Sequence, residues 1–572
     1  MTPLYAALRR SIAAILLGLC LLPAIGKATP VGSEWERFTD DFIKSYFAAH
    51  PNAAVNAGLH EYDGRLPDWG TASFSARTEA LKRQRMQAVI FKQQVLSERQ
   101  HLVRKHLLSV IDSELFWVEK ARWPYKNPYY YADALDPNIY ISRDYAPLEQ
   151  RLRAYIAYAA QLPVAVDQIR NTLQPPLAKP FVDIGITIVE GLAQFYATDV
   201  PAAFQPALKN AELRSQFEKA NRRAKEALVH FSDWLKEQRS QAHDAFALGP
   251  AVFHDMLYTT ERLSMQPDRI EQVVRRDLER NRKALQKVCS RYAPKQTLEQ
   301  CVAKARQNKP ADVLEAARQQ LVGLKKIVVD KSLVSIPEGS EPLIAESPPY
   351  RRWNPASIDI PGPFEKDLPA IYYVSPPDST WLAAERQAYM PSRPELLFIS
   401  VHEVWPGHFL HFSHANRNLS TFARLFITYG FAEGWAHYSE ELMWEAGLNR
   451  GDPSTHIGQL LNALLRNVRC LAGFGLHTHG MSVDEAEKLF IEQAFLDKAN
   501  ARQQAQRGTF DPEYVKYTLG KLMIRKLRDE WSIQRGGRKN WRAFHDQLLS
   551  YGGPPLPLVR EVMLTNPSGA PL

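Results

Sequence analysis

The segment Val401-His402-Glu403-Val404-Trp405-Pro406-Gly407-His408 sets a His-Glu pair six residues ahead of a second histidine. Imidazole nitrogens are good zinc ligands, and a glutamate beside one of them is placed to act as a base. The common zinc-peptidase helix puts its two histidines four apart, so that both reach one metal from one face. Six residues turn an α-helix through about 600°, which points the two rings apart. Pro406 removes this difficulty, because it has no N–H for the carbonyl of His402 and its ring crowds that carbonyl. The spacing therefore predicts a helix that breaks near Pro406 and swings His408 back to the metal of His402, with Gly407 supplying unusual backbone angles. His411 is the rival second ligand; otherwise it is expected to line the cleft beside the site.

A catalytic zinc takes three protein ligands and keeps a fourth position open to water. Beyond His408, Tyr429-Gly430-Phe431-Ala432-Glu433-Gly434-Trp435-Ala436-His437, with Glu433 twenty-five residues on, opens a predicted helix running to about Met443. A carboxylate on an antiparallel neighbouring helix is the natural third ligand, and Glu433 supplies one. Two neutral imidazoles and one carboxylate leave the centre singly positive, enough to acidify water towards neutral pH. Glu403, beside a ligand but not itself one, is the expected general base. His437, one turn after Glu433, can orient a ligand from behind.

A tetrahedral intermediate also needs donors for its oxyanion, and Tyr517, Tyr514, His477 and His479 are the candidates. His477 is expected in a loop just before a helix that starts at Ser482. In YVKYTLGKLMIRKLRDEW, Tyr514, Tyr517, Lys521, Arg525 and Arg528 recur at three- and four-residue steps and so share one helix face. Lys521 or Arg525 would then bind a substrate carboxylate, which points to a carboxypeptidase or peptidyl-dipeptidase mode. Tyr514 would line the same substrate site.

Helical periodicity supplies the elements that must position these groups, with amphipathic stretches near 75–120, 148–170, 206–242, 267–288 and 311–330. The segment 333–378 is proline-rich and carries short β-type runs such as SLVSI and AIYYV, so it reads as loops and a small sheet. The expected architecture is mainly α: a helical half at 29–332, this segment, and a helical catalytic half at 379–572, forming one large body around a deep cleft. A chain of 572 residues has ample material for such a body. Its composition, 45% hydrophobic and 23% charged, is that of an ordinary globular protein.

Residues 1–28 read as a secretory signal peptide, with Arg9 and Arg10 ahead of an apolar run broken by Pro23 and Gly26. That run is too short for a stable membrane span, and export to the periplasm or the extracellular space is expected. Cys20 falls within the run, where Leu19 occupies a position that lipoprotein processing reserves for a small residue. The formal charge of +9 is spread along mixed helix faces, so no nucleic-acid footprint is present. Cys289 and Cys301 are close enough to bridge in an oxidising compartment, which leaves Cys470 as a single buried thiol.

The stretches HEVWPGHFLH, FAEGWAHYSEEL, RNVRCLAGFGLHTHGMSVDEA and YVKYTLGKLMIRKLR resemble bacterial domain-of-unknown-function family 885. Weaker similarity in AVNAGLHEYDGRLPD and ISRDYAPLEQRLRAY extends over nearly the whole mature chain. The family resembles helical gluzincin peptidases. The resemblance implies an almost all-α fold around a long cleft, one zinc ion, and hydrolysis of short peptides through His402, Glu403, His408 and Glu433. An amidase acting on cell-envelope peptides would use the same residues. An inactive metal-binding helical scaffold is the reading from a different class, and the retained Glu403 argues against it.

Overall fold

The computed structural model describes residues 31–572 apart from 94–95, 340, 348–355, 366, 378–381, 383–385, 388, 534, 566 and 568. The leader and Cys20 lie outside the described residues. No helix among those described is long and apolar enough to cross a membrane.

The protein is mostly helical. The first half carries long helices at Thr71–Ile90, Glu98–Leu115, Leu148–Thr172, Ala211–Gln238, Pro267–Tyr292 and Val313–Asp330. The single stretch expected at 75–120 is two helices. The second is started by Ser97, whose hydroxyl takes the N–H of Gln100 while the Gln100 side chain returns to the backbone of Ser97. Leu152, Tyr155, Leu162, Leu228 and Phe231 are fully or almost fully buried where the helices Leu148–Thr172, Lys179–Ala197 and Ala211–Gln238 pack together. The largest apolar core takes side chains from both sides of 333–378, from Phe116, Phe253 and Leu324 to Trp435, Leu471 and Met523. That segment does not divide the core.

Three short strands form one sheet: β1 Leu343–Glu346, β2 Ala356–Asp359 and β3 Ile371–Val374, in the order β1-β3-β2. β3 is parallel to β1 and antiparallel to β2. The run AIYYV contains β3, whereas SLVSI is not a strand, its Leu333 and Val334 being buried in the helical core instead. Tyr372 on β3 meets the Ser400 hydroxyl at 3.1 Å, which pins the sheet to the helix carrying His402.

Six helices build the site and are numbered here: α1 Arg393–Glu403, α2 His408–Ala415, α3 Tyr429–Glu445, α4 Pro453–Thr478, α5 Lys498–Phe510 and α6 Lys516–Ile533. α3 and α6 cross very closely, because a Cβ on Gly434 would stand 2.5 Å from the Cα of Gly520. Only a glycine pair allows that approach, and it brings Tyr517, at the start of α6, beside Glu433 on α3. Cys289 and Cys301 form a disulfide between the helices Pro267–Tyr292 and Leu298–Arg306, and Cys470 is a buried free thiol on α4.

Candidate metal centre

The helix of His402 ends at Glu403, four residues run outside any helix, and a new helix starts at His408. Gly407 pairs a φ of −71° with a ψ of −134°, outside both the helical and the extended regions, so it supplies the unusual backbone angles expected of it as well as space. A Cβ there would lie 1.8 Å from the carbonyl oxygen of His402. The chain has doubled back onto the last turn of α1, and the indole N–H of Trp435 on α3 ties the loop down by donating to the carbonyl of Pro406 at 2.7 Å. This fold-back brings the two imidazoles together, their ring centroids 4.8 Å apart and their planes perpendicular.

Glu433 faces both rings. Its Oε2 is 3.2 Å from Nε2 of His402 and 3.4 Å from Nε2 of His408. Ligands about 2.1 Å from a tetrahedral zinc stand about 3.4 Å from one another, so these separations suit one shared ion. The three ligand atoms all lie within 4.8 Å of each other, and two nitrogens with one oxygen form a recognised catalytic zinc set. The residues present fit the metal.

Behind His402 lies a layer that the motif did not announce. Nδ1 of His402 meets Glu440 Oε1 at 2.8 Å, which fixes the ring so that Nε2 faces Glu433. Arg466 on α4 holds the same Glu440 oxygen at 3.2 Å, and His437 Nδ1 meets the other at 3.3 Å. Burial works against the Glu440 charge, yet Arg466, His437 and His402 together hold its carboxyl well below the usual range. Burial and Arg466 oppose a proton on His402, while hydrogen bonds to Glu433 and Glu440 outweigh them and raise it to about 9. Proton and metal therefore compete for this pocket. Glu440→Gln should weaken zinc binding about 10- to 100-fold while leaving the three ligands in place. Competition against a chelator of known affinity measures this, and unchanged affinity would show that Glu440 does not support the ligand.

Glu403 sits beside both histidines and Glu433 without joining the three-atom group. Burial raises its carboxyl above the ordinary value, His402 and His408 pull it down, and the backbone N–H of Ile358 on β2 donates to it. Tyr517 stacks near His402, with ring centroids 6.2 Å apart, and its hydroxyl accepts from Tyr429 at 3.2 Å. Arg507 on α5 donates to the Tyr429 oxygen at 3.2 Å.

Several expected site residues lie elsewhere. His411 is fully buried, with Nε2 on the carbonyl of Gly552 at 2.8 Å, and burial lowers it to about 3. It anchors a loop and does not line a cleft. His477 is inside the last turn of α4 and not in a loop; it accepts the N–H of Leu248 and meets the carbonyl of Gly508 at 2.7 Å. His479 meets Glu271 on the surface at 2.9 Å. Tyr514 precedes α6 in a 3-10 turn and is fully buried, its hydroxyl packed where a Cβ on Gly508 would be. His437 is behind the site, as described, and touches no metal ligand directly. Lys521 is buried in an ion pair with Asp277 at 2.6 Å, and Arg525 bridges Glu441 at 3.2 Å and Asp277 at 3.5 Å. Arg528 pairs with Glu445 at 2.6 Å. The basic face of α6 thus meets acids of α3 and of the helix Pro267–Tyr292, and it is not a receptor for substrate carboxylates.

The family model described as "Bacterial protein of unknown function (DUF885)" matches residues 51–563. Two solved structures share the fold. A putative lipoprotein of unknown function from Shewanella oneidensis aligns with a TM-score of 0.78 at 22% identity, over 94% of this chain and 100% of its own. A putative lipoprotein from Colwellia psychrerythraea aligns with a TM-score of 0.77 at 14% identity, over 94% and 99%. No curated protein matches significantly.

Proposed function

We propose that this chain, which belongs to the bacterial family DUF885, is an exported zinc-dependent peptidase that acts on short peptides. The observation that carries the reading is a three-atom ligand set with one further carboxylate, Glu403, held beside it. A structural zinc site closes with four protein ligands and has no use for a neighbouring base.

When bound, zinc would supply Lewis acidity that polarises a peptide carbonyl and makes water a nucleophile at neutral pH. Glu403 takes the proton of the attacking water and delivers it to the leaving amine. Tyr517 donates to the developing oxyanion. Its own proton is free for this role, because its oxygen already accepts from Tyr429, which in turn accepts from Arg507. The strand β2 supports a peptide substrate: it pairs with β3 on one side only among the described residues, and Ile358 turns its N–H towards Glu403. An extended chain can pair with such an edge. Export rests on the leader and on the putative-lipoprotein names of the two structural relatives.

The test is a digest of mixed short peptides read by mass spectrometry, with and without a chelator. Fragments should appear, vanish on chelation and return with added zinc. A protein that holds zinc and leaves every peptide intact contradicts the reading.

A further inference from the structure

The cations around the centre form a pattern with one gap. Arg466 has Glu440, Arg507 has Asp511 at 2.8 Å, Lys516 has Glu261 at 3.1 Å, Lys521 has Asp277 and Arg528 has Glu445. Arg469, one turn after Arg466 on α4, has no acidic partner among the described residues. Among the described residues its only hydrogen bond runs from Nε to the side-chain oxygen of Gln504 on α5, at 2.8 Å. Gln504 thus fixes the plane of the guanidinium and leaves both Nη groups undirected.

The position is also specific. The guanidinium carbon of Arg469 stands 5.1 Å from the centre of the Tyr517 ring, and that of Arg466 stands 5.8 Å from it. Tyr517 in turn stacks near the metal ligand His402. Arg469 can be no farther from the His402 ring than these two ring contacts laid end to end. An extended peptide advances about 3.3–3.6 Å per residue, so this span covers one to three residues beyond a bond held at the metal. Arg469 is half-buried and therefore reachable from solvent. Burial and the neighbouring Arg507 disfavour its charge, lowering it to about 10. Even a half-buried cation without a counter-charge loses part of its hydration, and an arriving anion would offset that loss.

We infer that Arg469 is the substrate-reading cation of this site, binding through its two Nη groups a peptide carboxylate one to three residues past the scissile bond. This rests on the peptidase reading for what is cut, but not for what is bound. Arg469 takes the place that the sequence offered to Lys521 and Arg525, and its planar fork suits a bidentate carboxylate.

The experiment uses zinc-loaded Glu403→Gln protein, which binds without turnover, titrated calorimetrically with N-acetylated tripeptides. One peptide is a free acid, one is its C-terminal amide, and one is an amide with an aspartate as last residue. The free acid should bind at least about 10-fold more tightly than the neutral amide, as loss of a charge-assisted hydrogen bond requires. Adding Arg469→Gln should abolish the difference, and Arg469→Lys should retain part of it, which guards against a mere folding defect. If the aspartyl amide binds like the free acid, the carboxylate read is a side chain; if it binds like the neutral amide, it is the chain terminus. Either outcome supports the site. The inference is overturned if free acid and amide bind alike, if neither binds at millimolar concentration, or if the preference survives Arg469→Gln. Cleavage of peptides by the wild type without any acid preference would remove this inference alone. Arg469-dependent binding by a wild type that cuts nothing would remove the peptidase reading alone.

Discussion

Glu403→Gln should keep its zinc and lose peptide hydrolysis by about 100- to 10,000-fold, the range expected when a positioned general base is removed. The substitution preserves shape and the hydrogen bond from Ile358. Only the capacity to take a proton is lost. Because Glu403 stands outside the three-atom ligand set, metal content should stay at the wild-type level. The fall should appear in kcat, with KM little changed, since the carboxylate acts on water and not on the ground-state peptide. A variant that lost its zinc would show that Glu403 is a ligand, and full activity would show that the base lies elsewhere.

Gly407→Ala is expected to be nearly as damaging, although it adds one methyl group and touches no functional atom. The new Cβ would fall 1.8 Å from the carbonyl oxygen of His402 and 2.4 Å from that of Val401. Both contacts are backbone, so no side chain can move aside. Overpacking an ordinary core position costs about 1–3 kcal/mol, and a rigid backbone clash should reach or exceed the upper end of that range. Relief requires the fold-back to open, which carries His408 away from His402. Zinc affinity should fall about 100-fold or more, and the denaturation midpoint should drop. Gly323→Ala is the matched control. It lies in the helix Val313–Asp330 with nothing within 4 Å of the added carbon, and should be neutral or stabilising by up to about 1 kcal/mol. If Gly407→Ala binds zinc normally, the fold-back is not what sets the second histidine.

The positions of the three candidate ligands were legible because their chemistry is written locally. A proline four residues after the first histidine demands a break, and the break occurs there. Glu440 also left a signal that was passed over, since it follows Glu433 by seven residues, two turns along the same helix face. Arg466 and Arg469 left none, because their roles depend on which helix α4 packs beside. The basic face of α6 shows the same limit from the other side. Its periodicity was real, but its partners Asp277, Glu441 and Glu445 sit on helices distant in sequence. A stripe of charges announces a face and not what the face meets. His477 and Tyr514 misled for a related reason: a polar group near a motif can equally well be a buried anchor, as His477 is for Leu248 and Gly508, or a core side chain, as Tyr514 is. β1 and β2 escaped notice because LIAE and ASID lack the run of β-branched and aromatic residues that marks β3, which is equally short.

The central claim is that His402, His408 and Glu433 hold one zinc ion, and the measurement that meets it most directly is zinc content per chain after dialysis, determined by elemental analysis. The wild type and His411→Ala should each retain about one equivalent, because His411 is spent on the carbonyl of Gly552. Glu433→Ala and His408→Ala should each retain almost none. Zinc held at full occupancy by Glu433→Ala, or lost from His411→Ala while His408→Ala keeps it, would contradict the centre described here.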